Sequence, residues 1–293
     1  MKMFMILSAL TIFTTIFTVA NFANAKPYDL SKSPDFTKQN FKEWSQSLRS
    51  DNFDFSGIAA LSGCSGSIVN LGVPETDKAI LMTNGHCLDM MDDEADAVIL
   101  NQTYVRNIKA FKNIRDSIMV RTNRILYGIM QPHDVALIEL NITYKELLDR
   151  GIKSFRLSPV QAPVGEPLIF ASGLFQEVTN CPLEAVIYRL KEDKWINENV
   201  LKYTACDSKH GTSGSPLISA RTNEIVGINM TGNDSGGKCT FNNPCEIDEN
   251  GVVTVTPHAG YGDQIYKLLN CLDANNNFDL FASTCVLPKP KQN

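Results

Sequence analysis

The sequence predicts an all-β protein, built as a sandwich or a barrel, and three observations support this prediction. Short apolar or alternating runs recur along the chain, turn residues such as those at 72–75 separate them, and no long helical pattern lies between them. The 293-residue length accommodates two modest cores or one large core. Two β-barrels of about 100 residues each fit that length.

The short runs form two sets of predicted strands, one in each half of the chain. The first set covers residues 58–61, 67–71, 79–83, 97–100, 118–121 and 135–140, and the second covers 168–171, 185–190, 200–205, 216–219, 224–230 and 252–256. Between the sets, residues 151–165 contain Pro159 and Pro163 and are predicted to connect the halves. After Pro257, apolar side chains at helical spacing predict a terminal helix; they are Tyr261, Ile265, Leu268 and Leu269.

The N-terminal residues differ from the rest of the chain. Lys2 precedes a stretch at 3–20 that is almost wholly apolar or hydroxylated, and Ala23-Asn24-Ala25 has the small-x-small pattern of a cleavage site. Residues 1–25 are therefore interpreted as a secretory signal peptide, although the apolar run also approaches the length of a membrane anchor. Residues 26–55 surround one short amphipathic stretch and are interpreted as a propeptide, an inhibitory extension or a strap that packs on the domain.

Charge and cysteine content limit the classes of function. A formal net charge of −5 argues against nucleic acid or an anionic membrane as a partner. Eight cysteines in a chain with an export signal predict a disulfide framework. Zinc is the competing interpretation, but the chain has no Cys-x-x-Cys pair and its four histidines are scattered, so neither a metal site nor a cofactor is expected. The acidic run at 89–96 offers oxygen ligands for calcium, but solvated acidic loops are far commoner.

A serine at the centre of a small-residue turn is the main candidate for chemistry. Ser213 lies in Gly211-Thr212-Ser213-Gly214-Ser215-Pro216, where the glycines permit the sharp bend that presents its hydroxyl. The amides of Gly211 and Ser213 can converge on one point and stabilise the negative oxygen formed during acyl transfer. Alone this pattern is weak, because most Gly/Ser turns are only turns.

Two upstream segments give the serine its context. An apolar run ends in Thr83-Asn84-Gly85-His86-Cys87, and Asp134-Val135-Ala136-Leu137 opens another. Thr-x-x-His-Cys, Asp-Val-Ala-Leu and Gly-x-Ser-Gly-x-Pro, in this order, resemble the trypsin/chymotrypsin-like serine endopeptidases, above all secreted bacterial-type members with Gly-x-Ser-Gly-Ser-Pro. The resemblance covers roughly residues 56–270. Taken singly, His86 would also suit packing beside a disulfide, Asp134 a strand cap, and Ser213 a plain turn.

The resemblance implies two six-stranded antiparallel β-barrels followed by a C-terminal helix. The first barrel would span residues 56–150 and the second, with the helix, residues 166–270; the connector at 151–165 would join them and a tail would follow at 271–293. Ser213 would be the nucleophile, His86 the general base and acid, and Asp134 the residue that orients the histidine. Gly211 and Ser213 would supply the oxyanion hole through their amides.

The resemblance also implies a specificity pocket near the serine. Asp207, six residues before Ser213, would form its base and bind Lys or Arg, although an aspartate there can also be structural. His210 would edge the pocket or lie in an exposed loop. Thr231 and Gly232 would line its wall.

Three positions depart from the family pattern. Thr212 stands where trypsin has the aspartate that pairs with a newly cut N-terminus, so activation by that ion pair has no partner. Met230 replaces a serine that helps to hold the catalytic aspartate. Asn229 replaces the histidine of glutamate-specific relatives, so a preference for acidic substrates is not supported.

Four disulfides are expected. The pair Cys64–Cys87 is implied by the resemblance, in which a bridge lies behind the catalytic histidine. The other pairs rest mainly on proximity along the chain, since eight cysteines allow 105 pairings; they are Cys181–Cys206, Cys239–Cys245 and Cys271–Cys285.

Together these features predict a secreted serine endopeptidase, extracellular or periplasmic, that acts as a monomer on protein or peptide substrates. Neither nucleic acid nor, after signal cleavage, a membrane is expected as a partner. A catalytically silent homologue that binds a partner through the same cleft is the alternative.

Overall fold

The computed structural model describes residues 53–91 and 97–291. These residues all belong to the larger of two compact units, Phe36–Asn293. The predicted signal peptide, the segment 26–52 and the acidic residues 92–96 lie outside the described residues. Among the described residues, no helix has the length and apolar character needed to span a membrane.

The first half of the described chain forms a closed antiparallel barrel. Its strands are β1 (Ile58–Ala60), β2 (Ser65–Val69), β3 (Lys78–Thr83), β4 (Ile99–Thr103), β5 (Asn107–Asn113), β6 (Asp116–Ile129) and β7 (Val135–Thr143). They pair in the order β4-β6-β5-β1-β2-β3-β7, and β6 also pairs with β7, so six strands close the barrel and β4 adds to β6. A short helix, α1 (Tyr144–Leu148), follows β7 and begins with a capping box between Thr143 and Glu146.

The length of β6 explains how the barrel closes. Its first part pairs with β5 and its second part with both β4 and β7, with a register shift between Thr122 and Arg124. A bulge of this kind bends a strand and increases its twist, which closure requires. The interior is filled by fully buried side chains that include Ile68, Leu81 and Ile138.

The second half forms a nine-stranded antiparallel sheet. Its strands are β8 (Pro167–Ser172), β9 (Glu177–Pro182), β10 (Ala185–Glu192), β11 (Trp195–Tyr203), β12 (Pro216–Ser219), β13 (Ile225–Gly232), β14 (Cys245–Ile247), β15 (Val253–Thr254) and β16 (Gly260–Gln264). Within the described residues, their pairings run in a single row, β15-β14-β10-β11-β16-β13-β12-β8-β9. The predicted all-β, two-barrel class is confirmed, as a closed six-stranded barrel followed by this second sheet. The second sheet has nine strands, more than the six that the sequence indicated.

The predicted terminal helix is reduced to one 3₁₀ turn, Tyr266–Asn270. Tyr261, which shared the helical spacing, lies in β16 instead, where it pairs with Lys202 of β11 and Thr231 of β13. Because Gly260–Gln264 is buried on both faces between two strands, sheet pairing overrides the helical spacing.

One apolar cluster joins the two halves. It contains fully buried side chains from the first half and from the second, including Ile58, Met82, Tyr127, Ile218, Ile225 and Ile228. Each such side chain contributes about 1.5–3 kcal/mol of transfer free energy, so the two halves are held together by a continuous core. That core packs the end of β3 and the start of β7 against β12, through Met82, Val135 and Ile218.

The four disulfides have the expected pairing: Cys64–Cys87, Cys181–Cys206, Cys239–Cys245 and Cys271–Cys285. All eight cysteines lie among the described residues, and none of them is free. The first bridge links the loop before β2 to the residue after His86, and the second links β9 to the segment that leads into the Ser213 turn.

Candidate active site

His86 and Asp134 meet because β3 and β7 are paired. His86 lies in a 3₁₀ turn, Gly85–Cys87, just after β3, and Asp134 comes just before β7; Thr83 pairs with Ala136 between them. The Nδ1 atom of His86 lies 2.6 Å from Oδ2 of Asp134, and the backbone amide of His86 donates to Oδ1 at 3.0 Å. Both carboxylate oxygens therefore hold the histidine, one through its ring and one through its backbone.

Gly85 permits this approach. A Cβ atom at Gly85 would lie 2.0 Å from the carbonyl oxygen of Ile129 and 3.2 Å from Oδ1 of Asp134. No larger residue fits without moving the β6 backbone, so the glycine before His86 is a steric requirement of the pair.

Opposing effects set the pKa of His86. Burial favours the neutral ring and lowers the pKa, whereas the charge and hydrogen bond of Asp134, together with the charge of Glu192, raise it. The net result is a pKa above the ordinary value for histidine. The side chain stays 32% exposed, so one edge of the ring remains open to the cavity beside it.

The Ser213 turn contacts the first barrel directly. Gly211 and Gly214 both adopt positive φ angles, +94° and +78°, which glycine tolerates without strain. A Cβ atom at Gly214 would lie 2.2 Å from the carbonyl oxygen of Ser65, and the amide of Ser65 donates to the carbonyl of Ser213 at 2.8 Å. Contact across the two halves thus fixes the serine's backbone.

Thr212 holds the same turn from behind. Its buried hydroxyl donates to the carbonyl of Lys209 at 2.6 Å and accepts from the amide of Lys209 and from Nδ2 of Asn229, both at 3.1 Å. Its own amide donates to the carbonyl of Lys209 at 2.9 Å. A neutral hydrogen-bonded threonine therefore occupies the position where trypsin has a charged aspartate.

Two amides of the turn have no hydrogen-bond partner among the described residues. Within the described part of the chain, the N–H groups of Gly211 and Ser213 donate to no acceptor. Unpaired N–H groups in a tight turn can bind a negatively charged oxygen.

Ser213 and His86 line one cavity of about 320 Å³, together with Asp134, Glu192, Thr231 and Gly232. The Ser213 hydroxyl donates to the carbonyl oxygen of Met230 over a long 3.4 Å. Among the described residues, no hydrogen bond joins the Ser213 and His86 side chains. The three residues are thus brought to one cavity, with the His86–Asp134 pair assembled.

Asp207 lies outside this cavity, contrary to the expectation that it forms the pocket floor. Its side chain is 71% exposed and lies 3.6 Å from the Nζ atom of Lys209. The chain turns at Cys206, whose carbonyl accepts from the amide of Ser208, and this turn directs Asp207 to solvent. Ser208 lines the cavity instead and donates to Oδ1 of Asn229 at 2.8 Å.

The other expected pocket residues do line the cavity. Thr231 and Gly232 contribute the end of β13, and a Cβ atom at Gly232 would lie 3.2 Å from the carbonyl oxygen of Ser208, so the two walls approach closely there. His210 edges the cavity with a side chain that is 70% exposed, and its Nε2 atom lies 2.9 Å from Asp234. Both interpretations of His210, pocket edge and exposed loop histidine, therefore describe it.

A buried carboxylate behind Asp134 was missed by the sequence analysis. Asp263 is fully buried on β16, accepts from the amide of Asp134 at 3.0 Å and lies 3.0 Å from Nδ1 of His133. It supports Asp134 through the backbone, in a molecule where Met230 replaces the serine expected to do so. Its sequence signal is weak, because it stands in a strand with two glycines and a second polar residue, Gln264.

A family model described as the trypsin-like peptidase domain matches residues 61–228. No curated protein sequence matches the chain.

Solved structures with a similar fold include the MamO protease domain from Magnetospirillum magneticum in its apo form. It is 16% identical, with 73% of this chain and 94% of that chain covered and a TM-score of 0.46. Neuropsin, a serine protease expressed in the limbic system of mouse brain, is 17% identical, with coverage of 75% and 94% and a TM-score of 0.47. Nocardiopsis protease is 15% identical, with coverage of 73% and 94% and a TM-score of 0.44. Because the matched region 61–228 covers more than half of the sequence, the chain belongs to the trypsin-like peptidase domain family.

Proposed function

We propose that this protein is a secreted serine endopeptidase that hydrolyses peptide bonds through an acyl-enzyme intermediate. The observation that carries the proposal is the His86–Asp134 pair, joined at 2.6 Å, which faces the same cavity as Ser213. A serine hydroxyl is almost never ionised at neutral pH, so it needs a neighbouring base to become a nucleophile.

In the proposed mechanism, His86 takes the proton of Ser213 as the hydroxyl oxygen attacks the peptide carbonyl. Asp134 holds the other ring nitrogen, fixes the tautomer and stabilises the imidazolium that forms. The amides of Gly211 and Ser213 bind the oxyanion. His86 then gives its proton to the leaving amine, and a water molecule, activated by the same histidine, releases the acyl group from Ser213.

The proposed location is outside the cytoplasm, and the proposed active form is a monomer. Four disulfides support export, because such bridges persist in oxidising compartments. The signal-like residues 1–25 support it further. The proposed substrates are proteins or peptides.

A fluorophosphonate probe tests the proposal directly, because it reacts covalently with an activated serine. We expect the wild-type protein to be labelled at Ser213. The Ser213→Ala variant should lose labelling and peptide cleavage, since removing the nucleophile of such a triad costs about a million-fold in turnover. Unchanged thermal unfolding of the variant is the control for folding. Persistent hydrolysis by Ser213→Ala would contradict the assignment.

A catalytically silent homologue that binds a partner is the second candidate, and one observation favours it. The Ser213 hydroxyl is directed to the Met230 carbonyl rather than to His86. A 3.4 Å hydrogen bond is weak, however, and catalytic hydrogen bonds often tighten only when substrate binds. Absence of labelling at Ser213 in the folded wild-type protein would favour the silent homologue.

A further inference from the structure

The Glu192 carboxylate lines the cavity but has no role in the proposed triad. It is the last residue of β10, at the turn into β11, and its side chain lines the cavity beside His86 and Ser213. One carboxylate oxygen accepts from the backbone amide of Asn242 at 2.7 Å. The Thr231 side chain also hydrogen-bonds to the Glu192 carboxyl. Glu192 is thus held in a fixed orientation at the cavity wall.

Among the carboxylates that line the cavity, Glu192 is the one with no histidine, lysine or arginine side chain bonded to it within the described residues. Asp134 is hydrogen-bonded to His86, and Asp234 to His210. The Nζ atom of Lys209 is paired with Oε2 of Glu177 at 2.9 Å, outside the cavity lining.

Burial raises the pKa of the Glu192 carboxyl, while Thr231, Asn242 and the charge of His86 lower it, and the net shift is upward. A partly dehydrated carboxylate without a cation is stabilised when one arrives.

Two aromatic rings next to Glu192 add a second feature that suits a cation. Trp195 and Phe241 both line the cavity, with ring centroids 6.4 Å apart. Aromatic faces attract ammonium and guanidinium groups, and their flat surfaces also hold the aliphatic stem of lysine or arginine.

We propose that Glu192 is a specificity-determining residue that binds a lysine or arginine side chain of the substrate, within the three residues before the scissile bond. This inference rests on the proposed endopeptidase function and assigns the basic preference to a residue other than Asp207. Asp207 is exposed, outside the cavity and already close to Lys209, so a substrate cation gains little from it.

The test is cleavage of a peptide library in which lysine is exchanged for norleucine, and arginine for citrulline, at each of the three positions before the bond. Norleucine and citrulline keep the shape and remove the charge. In the wild type, kcat/KM for the cationic peptide should exceed that for its neutral partner by about 10- to 100-fold at one position, the range of a charge-assisted hydrogen bond. In Glu192→Gln the ratio should fall to about 1.

Asp207→Asn is the matched control, because it removes one negative charge near the site but outside the cavity. Its ratio should equal that of the wild type. Glu192→Asp, which keeps the charge, should retain a ratio well above 1.

All reactions are run at a pH above the acidic limb of the activity profile, so that His86 is neutral in every variant. This removes any effect that Glu192 exerts through the protonation of His86.

Fluorophosphonate labelling of Ser213 separates this inference from the proposed function. A wild type that is labelled but shows a ratio near 1 at all three positions overturns the role of Glu192 and leaves the peptidase intact. A ratio unchanged in Glu192→Gln, or lowered equally in Asp207→Asn, overturns it as well. Absence of labelling overturns the peptidase function and this inference with it.

Discussion

Activity should depend on pH through His86, which must be neutral to act as a base. Since Asp134 and Glu192 together raise the pKa of His86 above the ordinary value of 6.5, the acidic limb of kcat/KM should lie above that pH. Glu192→Gln removes one of the charges that raise the pKa of His86. The acidic limb of this variant, measured on an uncharged peptide, should therefore lie at lower pH than that of the wild type. Asp207→Asn, whose carboxylate is exposed, should leave the limb in place. A wild-type limb at or below pH 6.5 would contradict the geometry of the pair.

Single residues differed in how far the sequence could predict them. His86, Asp134 and Ser213 stand in short motifs whose residue types follow from the chemistry. Asp263 and Glu192 stand in no motif, because they reach the site only when β16 and β10 are folded beside it. The expectation for Asp207 fails for the same reason. Its spacing to Ser213 matches that of a residue at the pocket floor, but the turn at Cys206 directs its side chain to solvent.

Two disulfides that stabilise the fold to a similar extent should have different effects on the site. Cys181–Cys206 closes 25 residues and Cys271–Cys285 closes 14, so replacing either pair by serines should lower the free energy of unfolding by about 3 kcal/mol. Only the first pair anchors the segment that leads into Ser213. Cys181→Ser/Cys206→Ser should therefore slow fluorophosphonate labelling by about tenfold or more, because small misplacements of a nucleophile are costly.

Cys271→Ser/Cys285→Ser is the control and should retain the wild-type labelling rate, measured at a temperature where both double variants are folded. Equal labelling rates in the two double variants would show that Cys181–Cys206 contributes stability alone. Chemical denaturation supplies the free energies.

At the element scale, apolar strands were predictable and polar or glycine-rich strands were not. Residues 216–219 were predicted within the bounds of β12, where all four side chains are buried. In contrast, β5 alternates buried with exposed polar residues, β9 is mostly half-buried and β16 contains two glycines, so none shows a clear apolar pattern. Their pairing comes from neighbouring strands, which no local window of sequence records.

The site is a property of the whole molecule, because its parts come from both halves. His86 and Asp134 come from the first barrel, Ser213 and Glu192 from the second half, and Ser65 joins them through its hydrogen bond to the Ser213 carbonyl. Among the described residues, the shared apolar core holds this arrangement with no cation beside Thr212. We therefore expect the active site to form by folding alone.

That conclusion predicts an activity that does not depend on one particular N-terminus. Trypsin-like activation needs a carboxylate beside the serine, whereas Thr212 is neutral, 1% exposed and hydrogen-bonded to Lys209 and Asn229. A chain that begins at Phe53, extended by either Met or Ala, should label with fluorophosphonate as fast as the longer mature protein.

A chain that begins at Gly57 separates activation from folding. It lacks Phe55, which is 1% exposed and packs edge-on against Phe111 with ring centroids 5.2 Å apart. Loss of a buried phenylalanine side chain costs about 3–5 kcal/mol, so this shorter chain should unfold at lower denaturant concentration. Its folded fraction should nevertheless be labelled at Ser213. If labelling instead requires one exact first residue in chains of equal stability, the Thr212 turn does not assemble by itself and an N-terminal ammonium must complete it.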